Sequence, residues 1–322
     1  MKKQIILSMM MFTANISFSQ QEVQVSHNMF NHLDINPGFA GLNDAICGTL
    51  IARDQWIGFK DPDGNNVNPR TYLLSVDTPI RFWRGGAGLT IIQDQLGFEK
   101  NLDVKLSFSH HIFIGNGQLG MGLQAEFQNK QIDFSKFKPL EPGDMLLANG
   151  TSKEGNIVPD FTLGFFYINP QRFYSGISLS QFLRMPYHFP DVQATPTLTP
   201  HGYIDAGMYL HLTNRLELMP SLLMKTDFVS MQVDINSLLK MDNMYWCGLS
   251  WRQSDAIAVI VGGNVFRGLE ASYAYDFTTS ALGANGRSLG SHEIMLHYCY
   301  KIPPKVIGTH VNVRFLSPSI TR

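Results

Sequence analysis

Four sets of residues in this 322-residue chain are of the types from which catalytic, phosphate-binding and metal sites are built. His292-Glu293, followed by His297, resembles the helical motif in which two histidines one turn apart hold zinc and a glutamate between them acts as base. The second histidine here comes one residue too late, and on a strand His292 and His297 point to opposite faces. His110 and His111 are adjacent and on a strand also point apart. The run Gly85-Gly86-Ala87-Gly88 would need a following helix to cradle a phosphate; without one, glycines lining a lumen or a bend are the better account. Cys47, Cys247 and Cys299 are too few and too scattered for a disulfide framework or a zinc cluster, and they read as small residues on strands. No nucleophile–base pair emerges. The expectation is a protein that is not an enzyme, with no metal and no cofactor.

Six charged residues make a more coherent set. Asp103, Lys105, Glu126, Asp234, Arg252 and Glu270 all fall on the polar face of segments whose other face is apolar. Their mixed signs suit a lumen closed by ion pairs and inserted loops, or a wet channel. In either case the charges are kept out of lipid.

The elements that would position these residues alternate with period two. In Gly117–Gln128, Leu119, Met121, Leu123, Ala125 and Phe127 occupy one face, and Gly120, Gly122, Gln124, Glu126 and Gln128 the other. A helix would scatter Gln124 and Glu126 among the leucines. Leu102, Val104, Leu106 and Phe108 oppose Asp103, Lys105, Ser107 and Ser109 in the same way, as Ile294, Leu296, Tyr298 and Tyr300 oppose Glu293, Met295, His297 and Lys301. Two segments are blurred: 46–58 places Asp54 beside Leu50 and Trp56, and 255–263 is apolar on both faces. Alternation and turn chemistry predict about fourteen strands. They lie near 46–58, 70–80, 84–94, 100–113, 117–129, 159–168, 171–183, 201–212, 216–226, 230–239, 243–252, 255–263, 267–277 and 289–301.

Every second connection is short: Phe82-Trp83, Ile114–Asn116, Asn169-Pro170, Thr213–Arg215, Lys240–Asn243 and Asn264–Arg267. The others include the longest: Lys60–Pro69, Lys130–Val158, Arg184–Pro200 and Thr278–Ser288. That parity is expected of an all-β, antiparallel up-and-down transmembrane barrel, with short periplasmic turns, longer extracellular loops and both chain ends on the periplasmic side. A soluble β-sandwich has no reason to respect it. Closure suits a bilayer, because an open edge in hydrocarbon leaves backbone groups unpaired.

Composition sets outer bounds. A formal net charge of −1, with no basic stripe, gives no reason to expect a nucleic-acid partner. A mean hydropathy of −0.05 suits a soluble protein or a transmembrane barrel equally. Met1–Ser19 reads as a secretory signal, with Lys2 and Lys3, an apolar run from Ile5 to Phe12, and Ser17-Phe18-Ser19 as the cleavage site. The expected organisation is a signal at 1–19, an irregular lead-in at 20–45, the barrel at 46–301 and a tail at 302–322.

Several fragments, in order and spacing, resemble a known family. MFNHLDINPGFAGLND (29–44) and DQWIGF (54–59) open the series, followed by DTPI (77–80), DQLG (94–97) and IDFSKFKPLEPGDMLLA (132–148). PDFTLGFFY (159–167), RFYSGISLSQFL (172–183), SMQVDINSLL (230–239), YDFTTSAL (275–282) and GSHEIMLHYCY (290–300) complete it. Together they resemble the PorP/SprF proteins of the Bacteroidetes type IX secretion and gliding machinery over essentially the whole mature chain. Gly38-Phe39 stands where that family usually has Ala-Tyr, and Asp54 where it commonly has Gln.

The resemblance implies an outer-membrane barrel that captures or anchors a large secreted substrate, such as a gliding adhesin, by its C-terminal domain. It also implies contact with periplasmic or lipoprotein components of the machinery. On that reading the external loops Lys130–Val158 and Arg184–Pro200 meet the exported partner. Pro186, Pro190, Pro196 and Pro200 stiffen the second loop and lower its ordering cost. The tail offers Lys305, His310, Arg314 and Arg322 with no acid, a candidate contact for an acidic periplasmic partner. The rival reading is a channel or transporter for a small solute, which requires an unobstructed lumen.

Overall fold

The alternating segments form strands, and the described strands all belong to one sheet. The computed structural model describes residues 23–61, 63–133, 136, 153–189, 197–280, 283 and 288–302. The signal segment Met1–Ser19 and the tail residues Lys305, His310, Arg314 and Arg322 lie outside them. The strands are β1 (Ala45–Asp54), β2 (Arg70–Ile80), β3 (Gly85–Leu96), β4 (Glu99–Ile114), β5 (Gly117–Asp133), β6 (Lys153–Asn169), β7 (Phe173–Ser180) and β8 (His201–Met208). They continue with β9 (Leu210–His211), β10 (Leu216–Thr226), β11 (Met231–Met241), β12 (Tyr245–Arg252), β13 (Ala256–Phe266), β14 (Leu269–Thr278) and β15 (Ser291–Lys301).

Segments β8 and β9 both pair with β10 and form one stave, interrupted at Tyr209, whose amide donates to the Arg172 carbonyl at 2.9 Å. Each stave pairs antiparallel with its neighbours in chain order, and β1 pairs with β15 from Ala45↔Lys301 to Asp54↔His292. The result is a closed barrel of fourteen staves. Among the described residues no helix is long and apolar enough to cross a membrane; the strands do so. The expected boundaries hold closely except at β1, which stops at Asp54 because Trp56 adopts a left-handed backbone at φ 49°, and at β6, which begins earlier, at Lys153.

Burial is inverted relative to a water-soluble protein. Leu106 and Leu249 on the outer wall are 51% and 59% exposed, while Glu126 and Asp234 on the inner wall are each 1% exposed. Such a continuous apolar exterior is stable only in lipid.

The lead-in fills the lumen. It contains short helical turns at Asn28–Phe30, His32–Ile35 and Pro37–Phe39, and most of its residues are buried. Val23 lies beside Asp94 and Glu99 at the long-loop end, whereas Ala45 pairs with Lys301 at the short-turn end. The segment therefore runs the length of the barrel. Both chain ends, expected on the periplasmic side, lie outside the described residues; residue 23 stands at the opposite mouth, because the lead-in enters the lumen instead of hanging below it.

The lumen is not uniformly polar, and this explains the blurred segment 255–263. Ile51, Leu73, Ile92, Leu238, Trp246, Ile260 and Met295 point inward and pack against Val25, Met29 and Phe30 of the lead-in. A second cluster joins Leu33, Phe39, Ala40 and Leu42 to Phe166, Ile168 and Tyr174. Strand β13 is apolar on both faces because Ile257 and Val259 face lipid while Ala258 and Ile260 face this inserted chain.

The cysteines require a second correction. Cys47 and Cys299 form a disulfide across a sequence separation of 252. Closure makes them direct partners in the β1–β15 ladder, so distance along the chain did not measure distance in space. They group with His297, but a disulfide leaves no thiolate for a metal. Cys247 is free and faces outward.

Cys47→Ser should destabilise the closed barrel by about 2–4 kcal/mol. The check is the temperature at which the compact, faster-migrating form is lost on non-reducing gels. Wild type in reductant should match the variant, and equal midpoints with and without reductant would show that the bond bears no strain of closure.

Candidate functional site

The lead-in sits in the lumen through two devices, one of charge and one of shape. At the level of residues 25–28, Arg53 from β1 reaches Asp276 of β14 at 2.7 Å and Glu293 of β15 at 2.8 Å. Glu293 accepts from the amides of Ser26 and His27, each at 2.8 Å, and lies 2.6 Å from the His27 Nδ1. Ser26 Oγ donates to Asp276, and His27 Nε2 meets Ser272 at 2.8 Å. Beside this group, Arg252 pairs with Asp234 and Asp255, each at 3.2 Å, and donates to the Val25 carbonyl. Asp234 in turn accepts from Asn28. These wall charges are almost fully buried, which is sustainable only because each carboxylate faces a guanidinium and further donors.

Further along, His32 Nδ1 lies 2.6 Å from Asp205, and Lys105 lies 2.9 Å from Asp34 and 4.0 Å from Glu126. Asn36 donates to the carbonyls of Phe165 and Ile177, at 3.0 and 3.2 Å. Here shape takes over. Gly120 and Gly122 of β5 face inward, and a Cβ on either would overlap the backbone of Pro37 or Gly38. Gly86 and Gly164 make the same room beneath Ala40 and Asn36. The inward glycines are thus a trough cut for the lead-in backbone. They explain Gly86 and Gly88 in the glycine run and the tiny residues of the alternating β5 segment, while Gly85 lies against the Ser109 carbonyl of β4. Near the short-turn end, His111 meets the Ala40 carbonyl at 2.9 Å and the Gly41 amide donates to Asp77.

All six charges singled out from the sequence lie on the inner wall. Lys105 and Glu126 come together around Asp34, and Asp234 pairs with Arg252. Asp103 lines a cavity of about 170 Å³ at the long-loop mouth, with Val23, Glu99, Lys130 and Tyr187. Glu270 sits apart, opposite His297 in the β14–β15 ladder. The sequence reading put Asp205, Asp276 and Glu293 on polar strand faces but did not count them among the six, and it singled out neither Arg53 nor His27 and His32. Strict alternation through β1 would have placed Arg53 inward, opposite to Leu50. Nothing marked His27 and His32, because an inserted irregular segment carries no period.

Glu293→Gln removes the charge that Arg53 and His27 share. It should lower the stability of the seated lead-in by about 3–5 kcal/mol, read as protease cleavage within residues 23–44 of an otherwise intact barrel. Lys60→Gln, on an exposed loop, is the control expected to match wild type.

The arrangement seals a membrane cylinder with part of its own chain. Among solved structures the chain is similar to the P. putida toluene transporter TodX, with 9% identity over 84% of this chain and 94% of that chain at a TM-score of 0.50. It is also similar to the Ralstonia pickettii toluene transporter TbuX (12% identity, 83% and 92% covered, TM-score 0.46) and to a Pseudomonas aeruginosa FadL homologue (10%, 80% and 89%, 0.42). At 9% identity the likeness to TodX shows the fold alone, that of an outer-membrane barrel. No curated protein matches the chain. The family model described as type IX secretion system membrane protein PorP/SprF matches residues 17–298, from the lead-in through all but the last residues of β15, and the chain belongs to that family.

Proposed function

We propose that this barrel is a non-enzymatic docking platform of the type IX machinery. It captures or anchors a secreted substrate, such as a gliding adhesin, through the substrate's C-terminal domain at the long-loop end, and meets periplasmic or lipoprotein components at the other. On this reading the chain is exported by the signal at Met1–Ser19 and inserted in the outer membrane. The observation that carries the proposal is the occupied lumen: a protein bound along its length by its own residues 23–44 holds a partner at its surface and does not pass a solute through its axis.

The long-loop end is also shaped as a surface. The start of the Arg184–Pro200 loop folds over the mouth, where Tyr187, Phe189 and Leu198 pack on Val158 and Tyr187 donates to Gln128 at 2.6 Å. The rest of that loop, at 190–196, and most of Lys130–Val158 lie outside the described residues. Between β10 and β11, Phe228 and Val229 project at 65% and 89% exposure. Burial would raise the Asp227 carboxyl, but hydrogen bonds from Ser230 and Val229 hold it below its ordinary range and lock this tip. Two fixed apolar side chains at a rigid turn are suited to anchor a protein partner.

In planar bilayers the intact barrel should show no steady conductance, and deletion of residues 24–42 should open it. A wild-type protein that conducts steadily would favour the solute-channel reading. The purified C-terminal domain of a type IX-secreted adhesin should be retained by the detergent-solubilised barrel, and Phe228→Ser with Val229→Ser should weaken that retention at least about tenfold. Truncation before Lys305 should leave insertion intact while reducing co-purification with the periplasmic machinery; undiminished co-purification would remove the tail from the interface.

A further inference from the structure

Charge at the short-turn rim is strongly one-sided. Arg81 and Arg84 lie in the β2–β3 turn, Arg172 between β6 and β7, Arg215 between β9 and β10, and Arg267 between β13 and β14; Lys301 ends β15. All six are exposed. The exposed carboxylates at this rim are Asp242, 3.7 Å from Arg215, and Asp44, next to the Ala45 that pairs with Lys301. The chain as a whole has a formal net charge of −1, so this excess is local. Four of the six turns carry a cation, the β4–β5 and β11–β12 turns being the exceptions, and with Lys301 the cations stand at five places around the circumference.

Their height on the wall is marked by aromatic rings. Trp83 lies edge-on against the outward-facing Phe108 at 5.8 Å, which holds the Arg81–Arg84 turn against the lipid-facing flank. The Arg267 guanidinium lies 5.3 Å from the centroid of Phe266, itself 64% exposed. Phe82 and Phe113, 77% and 76% exposed, complete the belt at this end. Aromatic side chains settle at the boundary between hydrocarbon and headgroups, and cationic side chains beside them reach the phosphate layer. Short turns face the periplasm in barrels of this type.

We propose that this rim binds the phosphates of anionic phospholipids in the periplasmic leaflet and so fixes the depth of the barrel in the membrane. Lipid suits the distribution better than an acidic protein does. Headgroups surround a barrel on every side, whereas a docked protein would gather its complementary charges on one arc. The proposal rests on the fold and its sidedness and is independent of substrate capture.

The test is lipid retention by the full-length barrel exchanged through mixed phosphatidylcholine and phosphatidylglycerol vesicles, followed by native mass spectrometry of the extracted protein. Wild type should retain phosphatidylglycerol over phosphatidylcholine by at least about tenfold, and added salt should reduce the preference. Arg81→Gln, Arg84→Gln and Arg267→Gln together should abolish it, while Lys60→Gln with Lys100→Gln at the opposite rim should leave it unchanged. If the triple variant fails to fold on gel mobility, the single variants Arg84→Gln and Arg267→Gln should each reduce the preference. Equal retention of the two lipids by wild type, or a preference undiminished in the folded arginine variants, overturns the proposal. So does loss of an acidic periplasmic protein from membrane extracts of the variants with lipid retention unchanged, which would assign the rim to that partner.

Discussion

Hydrogen bonds between β1 and β15 turn a meander of hairpins into a cylinder, and the other features of the molecule follow from that join. In hydrocarbon, two free edges would expose rows of backbone amides and carbonyls, each unpaired group costing several kcal/mol. Closing the sheet removes both edges at once. It also brings residues from the two ends of the chain into direct contact, which is how Cys47 comes to meet Cys299 and Arg53 to meet Glu293.

Closure creates a second problem, which is what to do with the inside. Fourteen staves enclose more space than their own inner side chains fill, and those side chains are polar because the outer face had to be apolar. The lead-in answers both demands. Its amides, histidines and asparagines meet the carboxylates of the wall, and Val25, Met29, Phe30, Leu33 and Phe39 fill the gaps between them. The charged cluster around Arg53 sets the register of the segment, since its partners lie at one height only. The glycine trough of β5 and β6 lets the backbone lie flat on the wall, where any side chain would hold it off. A barrel filled in this way is stiff, and stiffness suits a surface that must bind a large partner while anchored in a membrane.

Arg53 and Gly122 mark how much of the site was legible in the sequence. The position of Gly122 on the polar face of a strand follows from alternation alone. The chain that crowds it, Pro37-Gly38, lies more than eighty residues earlier, and nothing local connects the two. Arg53 sits in a segment whose pattern is broken by Asp54 and Trp56, because the strand ends there. Alternation from Leu50 puts Arg53 on the inward face, but only the structure shows that it meets Asp276 and Glu293 there. The histidines of the lead-in were silent, since an irregular segment has no period from which a face can be read.

What the amino-acid order determined is everything carried by short-range geometry. Successive side chains on a strand point to opposite faces, so the lipid-facing surface, the polar interior, the number of staves and the parity of long and short connections can be counted along the chain. What only the tertiary structure decided are the encounters that closure produces: the filled lumen, the joined cysteines, and the pairing of Arg53 with Asp276 and Glu293. These depend on which distant residues share a height inside one cylinder. Height is set by the accumulated register of every ladder around the barrel, and no local pattern encodes that sum.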